Sequence, residues 1–516
     1  MKNRIVLLLV FFIGALGIAQ IEMPVTYSFG EKYSDRYKYS NLLSMSEDGK
    51  GGSILVRTYY TGMILKPKGF LIEHYNENLE LVSEYNYKYK SDGFIDAYVK
   101  NGQLYMLFLE YDFDRVTYNY SIHRSPIFEY NFRTENILTI SSDYVENALD
   151  KNYYNRNFGR GFTTTVLFNK DKSGFVISTH FKRRKINQHH IYLFNSAAKQ
   201  IFNHNFSAEV EEKNYAFENI AISKDLSTVY IVGKAYFKKK RFTALERKFQ
   251  YELIQVSATG AKTQTFDEEG KYSEALIPIL NNNRLQCVGF YANRKDNRYN
   301  GIAYFDVDPV SLAIKSKKYN PFTQQFMDDK FGRDEERQIQ NLVFKNVHVT
   351  DKNEIIFNAE EYFVNSSIQQ GPTGTRLKVT RYHHNDMVGA KLDAQGNMLW
   401  VRNINKSEVT QNDGAYASYS SYVQGDTTYF FISSASKSPQ MIKNERLIFR
   451  QGMSRNRNIF LISLDGNGKM EYQKIIDAKE ARLPLMVSKP LLCQNKKDLL
   501  FYAKRGTKKQ LVKVAF

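Results

Sequence analysis

The sequence contains little cysteine, proline or tryptophan, and the first two shortages each exclude a class of protein. Its two cysteines, Cys287 and Cys493, allow one disulfide at most, so a disulfide-rich scaffold and a zinc site built from cysteine pairs are excluded. Both cysteines lie in apolar runs, where we expect buried structural thiols. Ten prolines among 516 residues exclude a proline-rich disordered chain. The 37 tyrosines and 36 phenylalanines favour β-strands instead.

Motifs for catalysis and for cofactors are also missing. The sequence has no H-E-x-x-H, no G-x-S-x-G and no phosphate-binding glycine loop. The adjacent pairs His189 with His190 and His383 with His384 would point to opposite faces of a strand, so neither makes a natural metal site. The acidic run 328–337 lacks the ligand spacing of a calcium loop. We predict no catalytic residue, no metal, no cofactor and no nucleic-acid partner; an enzymatic activity stays open as the less favoured hypothesis.

One long apolar run is present, and it stands at the start of the chain. Lys2 and Arg4 precede an apolar stretch over 5–13, and small residues follow at the positions that signal peptidase reads. No later stretch reaches the roughly 18 apolar residues of a spanning helix. We expect a secretory signal over 1–19 and a single domain over 20–516. No cysteine follows the expected cut directly, which argues against a lipoprotein anchor and for an exported, periplasmic protein; an outer-membrane-associated or extracellular location is the alternative.

The chain repeats one unit, a strand, a turn rich in Asn, Asp or Gly, and a second strand. A further strand pair precedes each copy, for example at 216–237 and 274–291. Four strands per unit, which we name a, b, c and d in chain order, form the blade of a β-propeller. The copies of the second pair span 70–87, 190–206, 251–266, 301–319, 387–404 and 458–476, with a weaker copy at 117–132.

The two ends of the chain predict a closed ring. Residues 491–516 supply strands a, b and c and then stop, while 21–35 supply a lone strand of type d. Their pairing would complete an eighth blade and leave no open sheet edge, and merging the weak copy would give seven blades. An outer-membrane β-barrel is the competing architecture, because the final LVKVAF resembles the end of such barrels. Runs such as TVYIVGKAYF (228–237), apolar on both faces, favour packed sheets.

Positive charge is concentrated in one class of connection. The formal charge of +18 becomes +16 once Lys2 and Arg4 are removed with the signal. The eight b-to-c connections hold 29 basic and 7 acidic residues. Their net charge, 29 minus 7, is +22 and exceeds the +16 of the whole chain without its signal. In a propeller these connections share one face with the d-to-a connections, so the pattern predicts a basic crown that attracts an anionic partner. The binding residues predicted there are Lys182, Arg183, Arg184, Lys185, Lys238, Lys239, Lys240, Arg241, Arg294, Lys295, Arg376, Lys378, Arg381, Tyr382, Arg446, Arg450, Arg455 and Arg457.

Two segments carry a resemblance to known proteins. MVGAKLDAQGNMLWVRNINKSE (387–408) resembles a blade unit of exported β-propeller proteins of Bacteroidota, in which a strand, D-x-x-G-N, an aromatic-containing strand and a lysine recur. GFYANRKDNRYNGIAYFDVD (289–308) resembles another such unit. The resemblance implies an architecture and no catalytic residue. Some of these propellers are periplasmic partners of outer-membrane machinery, including the translocon of the type 9 secretion system, and the C-terminus does not resemble the sorting domain of that system's cargo.

These patterns lead to a non-catalytic periplasmic binding or scaffold protein. Its expected partner is a protein, an outer-membrane complex docked on the basic face. The alternative is an exported propeller that cleaves or binds acidic glycans or binds lipopolysaccharide. The b-to-c connection over 361–386 is expected to be a loop, and its segment RLKVTRYHHND (376–386) gathers cations, a tyrosine and two histidines. The oligomeric state is left open.

Overall fold

The structure is a computed structural model made almost entirely of β-strands. It describes residues 25–62, 66–141, 162–183, 186–209, 213–237, 247–268, 270–293, 298–332, 339–370, 376–411, 414–435, 437–442, 446–452, 457–493 and 498–516. Within these ranges the strands form eight separate sheets. This confirms the prediction of eight blades, and it excludes both the count of seven and the competing architecture of one closed sheet.

Blades 1 to 4 each contain four antiparallel strands in chain order. Two short strands precede them, β1 (Thr26–Phe29) and β2 (Tyr33–Ser34). Blade 1 contains β3 (Tyr39–Glu47), β4 (Ser53–Thr61), β5 (Lys66–Tyr75) and β6 (Leu81–Tyr87). Blade 2 contains β7 (Phe94–Lys100), β8 (Gln103–Asp112), β9 (Thr117–Pro126) and β10 (Arg133–Ser141). Blade 3 contains β11 (Phe162–Phe168), β12 (Gly174–Arg183), β13 (Ile186–Asn195) and β14 (Gln200–Asn205). Blade 4 contains β15 (Asn214–Ile222), β16 (Thr228–Tyr236), β17 (Phe249–Ser257) and β18 (Gly260–Thr265).

Blades 5 to 8 follow the same order with additions. Blade 5 contains β19 (Tyr272–Asn281), β20 (Arg284–Ala292), β21 (Gly301–Val307) and β22 (Ile314–Pro321), and α1 (Gln324–Phe331) follows it. Blade 6 contains β23 (Leu342–Val349), β24 (Ile355–Gln370), β25 (Arg376–Leu392) and β26 (Met398–Thr410). Blade 7 contains β27 (Tyr419–Gln424), β28 (Thr427–Ala435), β31 (Arg457–Leu464) and β32 (Met470–Ile476), with β29 (Gln440–Ile442) and β30 (Arg446–Arg450) inserted. Blade 8 contains β33 (Leu491–Leu492), β34 (Asp498–Arg505) and β35 (Lys508–Ala515), preceded by α2 (Ala478–Ala481).

The ring closes through the two ends of the described chain. β1 adds to β35 as the fourth strand of blade 8, with Thr26 opposite Ala515 and Phe29 opposite Val512. Eight clusters of buried apolar side chains complete the closure, because each cluster draws on two neighbouring blades. The cluster between blades 8 and 1 joins Leu42 to Tyr502, for example. Sheets that bury both faces in this way need central strands that are buried along nearly their whole length, as β20 is.

A buried charge network lies at this seam. Arg57 Nη1 is 2.7 Å from Asp35 Oδ2, and Arg57 Nε donates to Glu73 Oε1 at 2.9 Å. Lys509 Nζ lies 2.7 Å from the same Glu73 oxygen, and Lys504 pairs with Asp35. Asp35 follows β2, whereas Lys504 and Lys509 belong to the last hairpin, so these ion pairs join the two ends of the chain to blade 1.

Several local expectations are corrected by the structure. In blade 2 the fourth strand is 133–141 instead of the segment up to 132, since a turn occupies 127–129 and the strand begins only at Arg133. Cys287 is buried between blades 4 and 5 as expected, whereas Cys493 is only half-buried between blades 8 and 1; the two lie in separate clusters, so the disulfide that the sequence left open is not formed between them. Among the described residues, no helix has the length and apolar character needed to cross a membrane.

Candidate binding face

The strand order brings two classes of connection to one end of the blades. Because neighbouring strands within each blade are antiparallel, every b-to-c connection leaves from the same end as the d-to-a connections. We call this end the b–c face. Three described features lie there: a long hairpin of blade 6, an insertion of blade 7, and a cavity near the axis.

The hairpin of blade 6 extends far beyond the blade. β24 and β25 are 16 and 17 residues long, whereas the central strands of the other blades have 7 to 10. They stay paired from Tyr362 opposite His384 to Gln370 opposite Arg376. We call the segments 362–370 and 376–384 the arm. Nine residues of strand correspond to a length of about 30 Å. This segment was predicted to be a loop, and that prediction was wrong.

Cross-strand contacts order the arm. The rings of Phe363 and His383 stack with centroids 4.3 Å apart, and the hydroxyls of Ser366 and Thr380 are 3.0 Å apart. Arg381 Nη1 donates to Ser367 Oγ at 3.3 Å. A continuous two-stranded ribbon with such pairs is a structured projection.

The arm is cationic on its exposed surface. Arg376 and Lys378 are exposed and share one face with Tyr382, because alternate residues of a strand point the same way. Ile368 lies opposite Lys378 with 71% of its surface exposed. Arg381 lies on the other face. The structure therefore brings four predicted binding residues, Arg376, Lys378, Arg381 and Tyr382, onto one ribbon.

The carboxylates at the root of the arm are neutralised. Lys330 Nζ, at the end of α1, lies 2.7 Å from Glu361 Oε2 and 2.7 Å from Asp386 Oδ2. Burial would lower the pKa of Lys330, but Asp386 and Glu361 outweigh it and raise that pKa. Arg446 Nη1 donates to the Lys330 carbonyl at 2.6 Å and ties the insertion to the same helix. The exposed part of the arm thus presents cations without competing carboxylates.

A second buried network anchors the strands below. Lys406 Nζ lies 3.2 Å from Glu360 Oε1 and 2.8 Å from Glu408 Oε2, and His384 Nδ1 lies 3.2 Å from Glu360 Oε2. Burial would raise the pKa of Glu360, but His384, Lys406 and Lys345 outweigh it and lower that pKa to about 2. The adjacent histidines, which point to opposite faces as expected, therefore have structural contacts.

The insertion of blade 7 joins blade 6 instead of forming a free loop. β30 pairs in parallel with β26, from Asn405 opposite Ile448 to Ser407 opposite Arg450. Arg450 is exposed at this edge. Arg457 donates to the carbonyls of Tyr416 and Gly452, both at 3.0 Å, so it holds the insertion in place. Burial lowers the pKa of Arg457.

The other predicted binding residues belong to the b-to-c connections of blades 3, 4, 5 and 7. Lys182 and Arg183 end β12. The others lie outside the described residues: Arg184, Lys185, Lys238, Lys239, Lys240, Arg241, Arg294, Lys295 and Arg455.

A cavity of about 660 Å³ opens near the axis on the same face. Its walls are the first residues of strand a in blades 3 to 6 and the adjoining ends of strands b and c. Sequence reasoning missed it. Bulges in two a strands shape its wall: Glu218 is the extra residue between Phe217 and Asn219, and a second bulge follows Glu274.

Two glycines permit these bulges. A Cβ at Gly233 would lie 2.5 Å from the Ala216 carbonyl oxygen, and one at Gly289 would lie 2.9 Å from the Ala275 carbonyl oxygen. Glycine inside a strand marks such a close approach of backbones. Gly233 in VGKAYF and Gly289 in VGFYAN are therefore the residues from which the bulges in the cavity wall could have been predicted.

Comparison with known proteins gives similarities of fold. No family model and no curated protein matches the sequence. Three solved structures, each 9% identical, are similar: the β-propeller domain of the Trilobed protease from Pyrococcus furiosus (86% of this chain, 98% of that one, TM-score 0.35), the polysaccharide lyase Uly1 (94%, 99%, 0.35) and the acylaminoacyl peptidase of Pyrococcus horikoshii (90%, 58%, 0.36). The chain spans little more than half of that peptidase.

Proposed function

We propose that this propeller is a non-catalytic, exported docking protein of the periplasm. Its partner is an acidic segment of another protein, such as a periplasmic loop of an outer-membrane complex, and it binds the b–c face with the arm as the main contact. The observation that carries the proposal is the exposed ribbon with Arg376, Lys378 and Arg381, whose neighbouring carboxylates are both bound by Lys330.

The open edges of the arm support an extended partner. Between Phe363 and Gln370, β24 pairs only with β25 among the described residues, and β25 has no second partner strand before Tyr382. Exposed strand edges are templates for a further strand, and main-chain hydrogen bonds then add to the charge attraction. Cations at the edge blunt pairing with a neutral strand and favour an acidic one.

The catalytic alternative receives less support from the arm. General acid–base chemistry needs groups that converge on one substrate. His384 is buried against Glu360, and His383 stacks on Phe363 on the face opposite Tyr382 and Lys378. The tyrosine and the histidines therefore do not face one point, and acidic glycans remain a candidate for binding only.

Charge reversal of the arm tests the docking proposal. The arm variant is Arg376→Glu, Lys378→Glu, Arg381→Glu. The matched control, Lys199→Glu, Lys224→Glu, Lys352→Glu, reverses three exposed lysines in turns at the opposite end of the blades. A tagged pull-down from native envelope should recover an acidic membrane protein with the wild type and the control, and about tenfold less with the arm variant. Melting temperatures should agree among all three, because exposed charges contribute about 0–1 kcal/mol.

Two results would overturn the proposal. One is equal recovery of the partner by the arm variant and the control. The other is recovery of acidic glycan instead of protein, which would favour the glycan-binding alternative.

A further inference from the structure

The axial cavity has the size and shape of a binding pocket for a small molecule. Its volume of about 660 Å³ lies within the range of known ligand pockets, roughly 300–1,000 Å³. Across the axis, Lys170 donates to the Val347 carbonyl at 2.7 Å and to Asn346 Oδ1 at 3.0 Å, so a side chain of blade 3 reaches blade 6 below the cavity. The cavity is therefore a pocket of the b–c face.

Aromatic rings form much of the pocket wall. The half-buried ring of Phe217 stacks on the buried Tyr215 with centroids 5.4 Å apart, and the half-buried Phe249 lies 6.0 Å from the buried Tyr251. Flat apolar faces contact a ligand over a large area at little cost in side-chain entropy. The rings that line the pocket are Tyr215, Phe217, Phe249, Tyr251, Tyr299, Phe344 and Tyr362.

The charged groups of the pocket are paired with one another. Glu218 lies 2.7 Å from Lys234 and accepts a hydrogen bond from Tyr251 at 2.8 Å. Arg247 Nη1 lies 3.1 Å from Glu274 Oε1. Because each carboxylate already has a cation beside it, the pocket has little net charge to offer an ionic ligand.

Hydrogen-bonding capacity nevertheless remains inside. Oε1 of Glu274 is buried and accepts no hydrogen bond from the described residues, although Arg247 is close. Glu218 and Lys234 keep about a third of their side chains exposed to the pocket, at 30% and 27%. The hydroxyls of Thr163 and Thr165 line the opposite wall. A buried acceptor without a donor is costly unless a ligand or water supplies one.

We propose that the axial pocket binds a neutral saccharide. A sugar ring offers an apolar face to the aromatic wall and several hydroxyls to Glu218, Lys234 and Glu274, and it brings no charge that the paired groups would have to compensate. A simple anion would meet Glu218 and a simple cation would meet Lys234, so both are disfavoured. The pocket shares one residue with the arm, Tyr362 at the start of the arm, and its proposal does not rest on the docking function.

Ligand-observed saturation-transfer NMR tests the proposal with four neutral probes: maltotriose, cellotriose, mannotriose and triacetylchitotriose. The full chain is examined with each probe up to about 10 mM, which detects dissociation constants near 1 mM. Trigalacturonate serves as the charged comparison and is measured with the arm variant, so that its binding to Arg376, Lys378 and Arg381 does not contribute. We expect saturable binding of at least one neutral trisaccharide and at least about tenfold weaker binding of trigalacturonate.

Variants place the binding in the pocket. Glu218→Gln should weaken the neutral probe by about tenfold, because a charged hydrogen-bond partner is lost. Thr165→Phe should abolish binding by filling the pocket, and Glu135→Gln, in an exposed pair with Arg124, should change nothing. A thermal unfolding transition at the temperature of the wild type shows that each variant is folded. The proposal is overturned if no neutral probe binds, if trigalacturonate binds as tightly, or if Thr165→Phe binds like the wild type.

Discussion

Buried charges are compensated differently at the seam and at the axial pocket. At the seam, burial would raise the pKa of Glu73, but Arg57 and Lys509 outweigh it and hold that pKa below its usual value. At the pocket, burial outweighs Arg247 and Lys234 and raises the pKa of Glu274 to about 7. A carboxylate held by two cations ties strands together, whereas a weakly compensated carboxyl keeps the capacity to bond a ligand.

Breaking the ion pairs of the seam should lower the free energy of unfolding most. Arg57→Met leaves Asp35 and Glu73 buried with one lysine each, and removing one partner of a buried ion pair costs about 3–5 kcal/mol. Urea denaturation should show this loss, with hydrogen exchange increased in 26–35 and 508–515. The control Arg124→Met removes an exposed pair and should cost less than about 1 kcal/mol. Equal losses in the two variants would mean that the network does not hold the seam.

Blade 6 offers a second network for comparison with the seam. Lys406→Met unpairs Glu408 and leaves Glu360 with Lys345 and His384, so we expect a loss of about 2–4 kcal/mol, at or below that of the seam variant. Increased hydrogen exchange should be confined to the root of the arm, 355–360 and 403–408. Exchange that increases at the seam instead would show that the two networks are coupled.

Substitution in the pocket should change the free energy of unfolding least. Its dependence on pH should be opposite to that of the seam, because the pKa of Glu274 is raised whereas that of Glu73 is lowered. Folded Glu274 keeps its proton up to about pH 7, whereas the unfolded carboxyl loses it near 4.5, so this group stabilises the fold below pH 4.5 and loses that contribution as the pH rises to 7. Glu274→Gln should remove this decline, which amounts to roughly 2–3 kcal/mol at most. Denaturation at pH 5 and pH 8 measures the difference for the variant and for Glu135→Gln. An unchanged decline in Glu274→Gln would contradict the raised pKa.

The blade count and the closure were predictable because their signals are local. Turn residues such as those in LDAQGN recur at the hairpins, and the lone d-type strand at 26–29 pairs with the last strand of the blade that the C-terminal segment begins. Runs that are apolar on both faces, such as TVYIVGKAYF (228–237), then indicate sheets packed against sheets.

The arm and the networks were not predicted because they depend on distant partners. The segment 361–386 was predicted to be a loop, although β-branched and aromatic residues lie on both sides of GPTG (371–374). Glu73, Glu360 and Lys406 occupy strand positions that read as exposed, and only the neighbouring strands bury them. The parallel pairing of β30 with β26 joins two blades and leaves no mark in either segment alone.

The salt dependence of partner recovery tests the docking account most directly. Wild type and arm variant are immobilised and exposed to native envelope extract at salt concentrations from about 50 to 500 mM. The account predicts that recovery by the wild type falls steeply with salt and that recovery by the arm variant is low throughout. Recovery by the wild type that does not change with salt, or equal recovery by the two proteins, would contradict it.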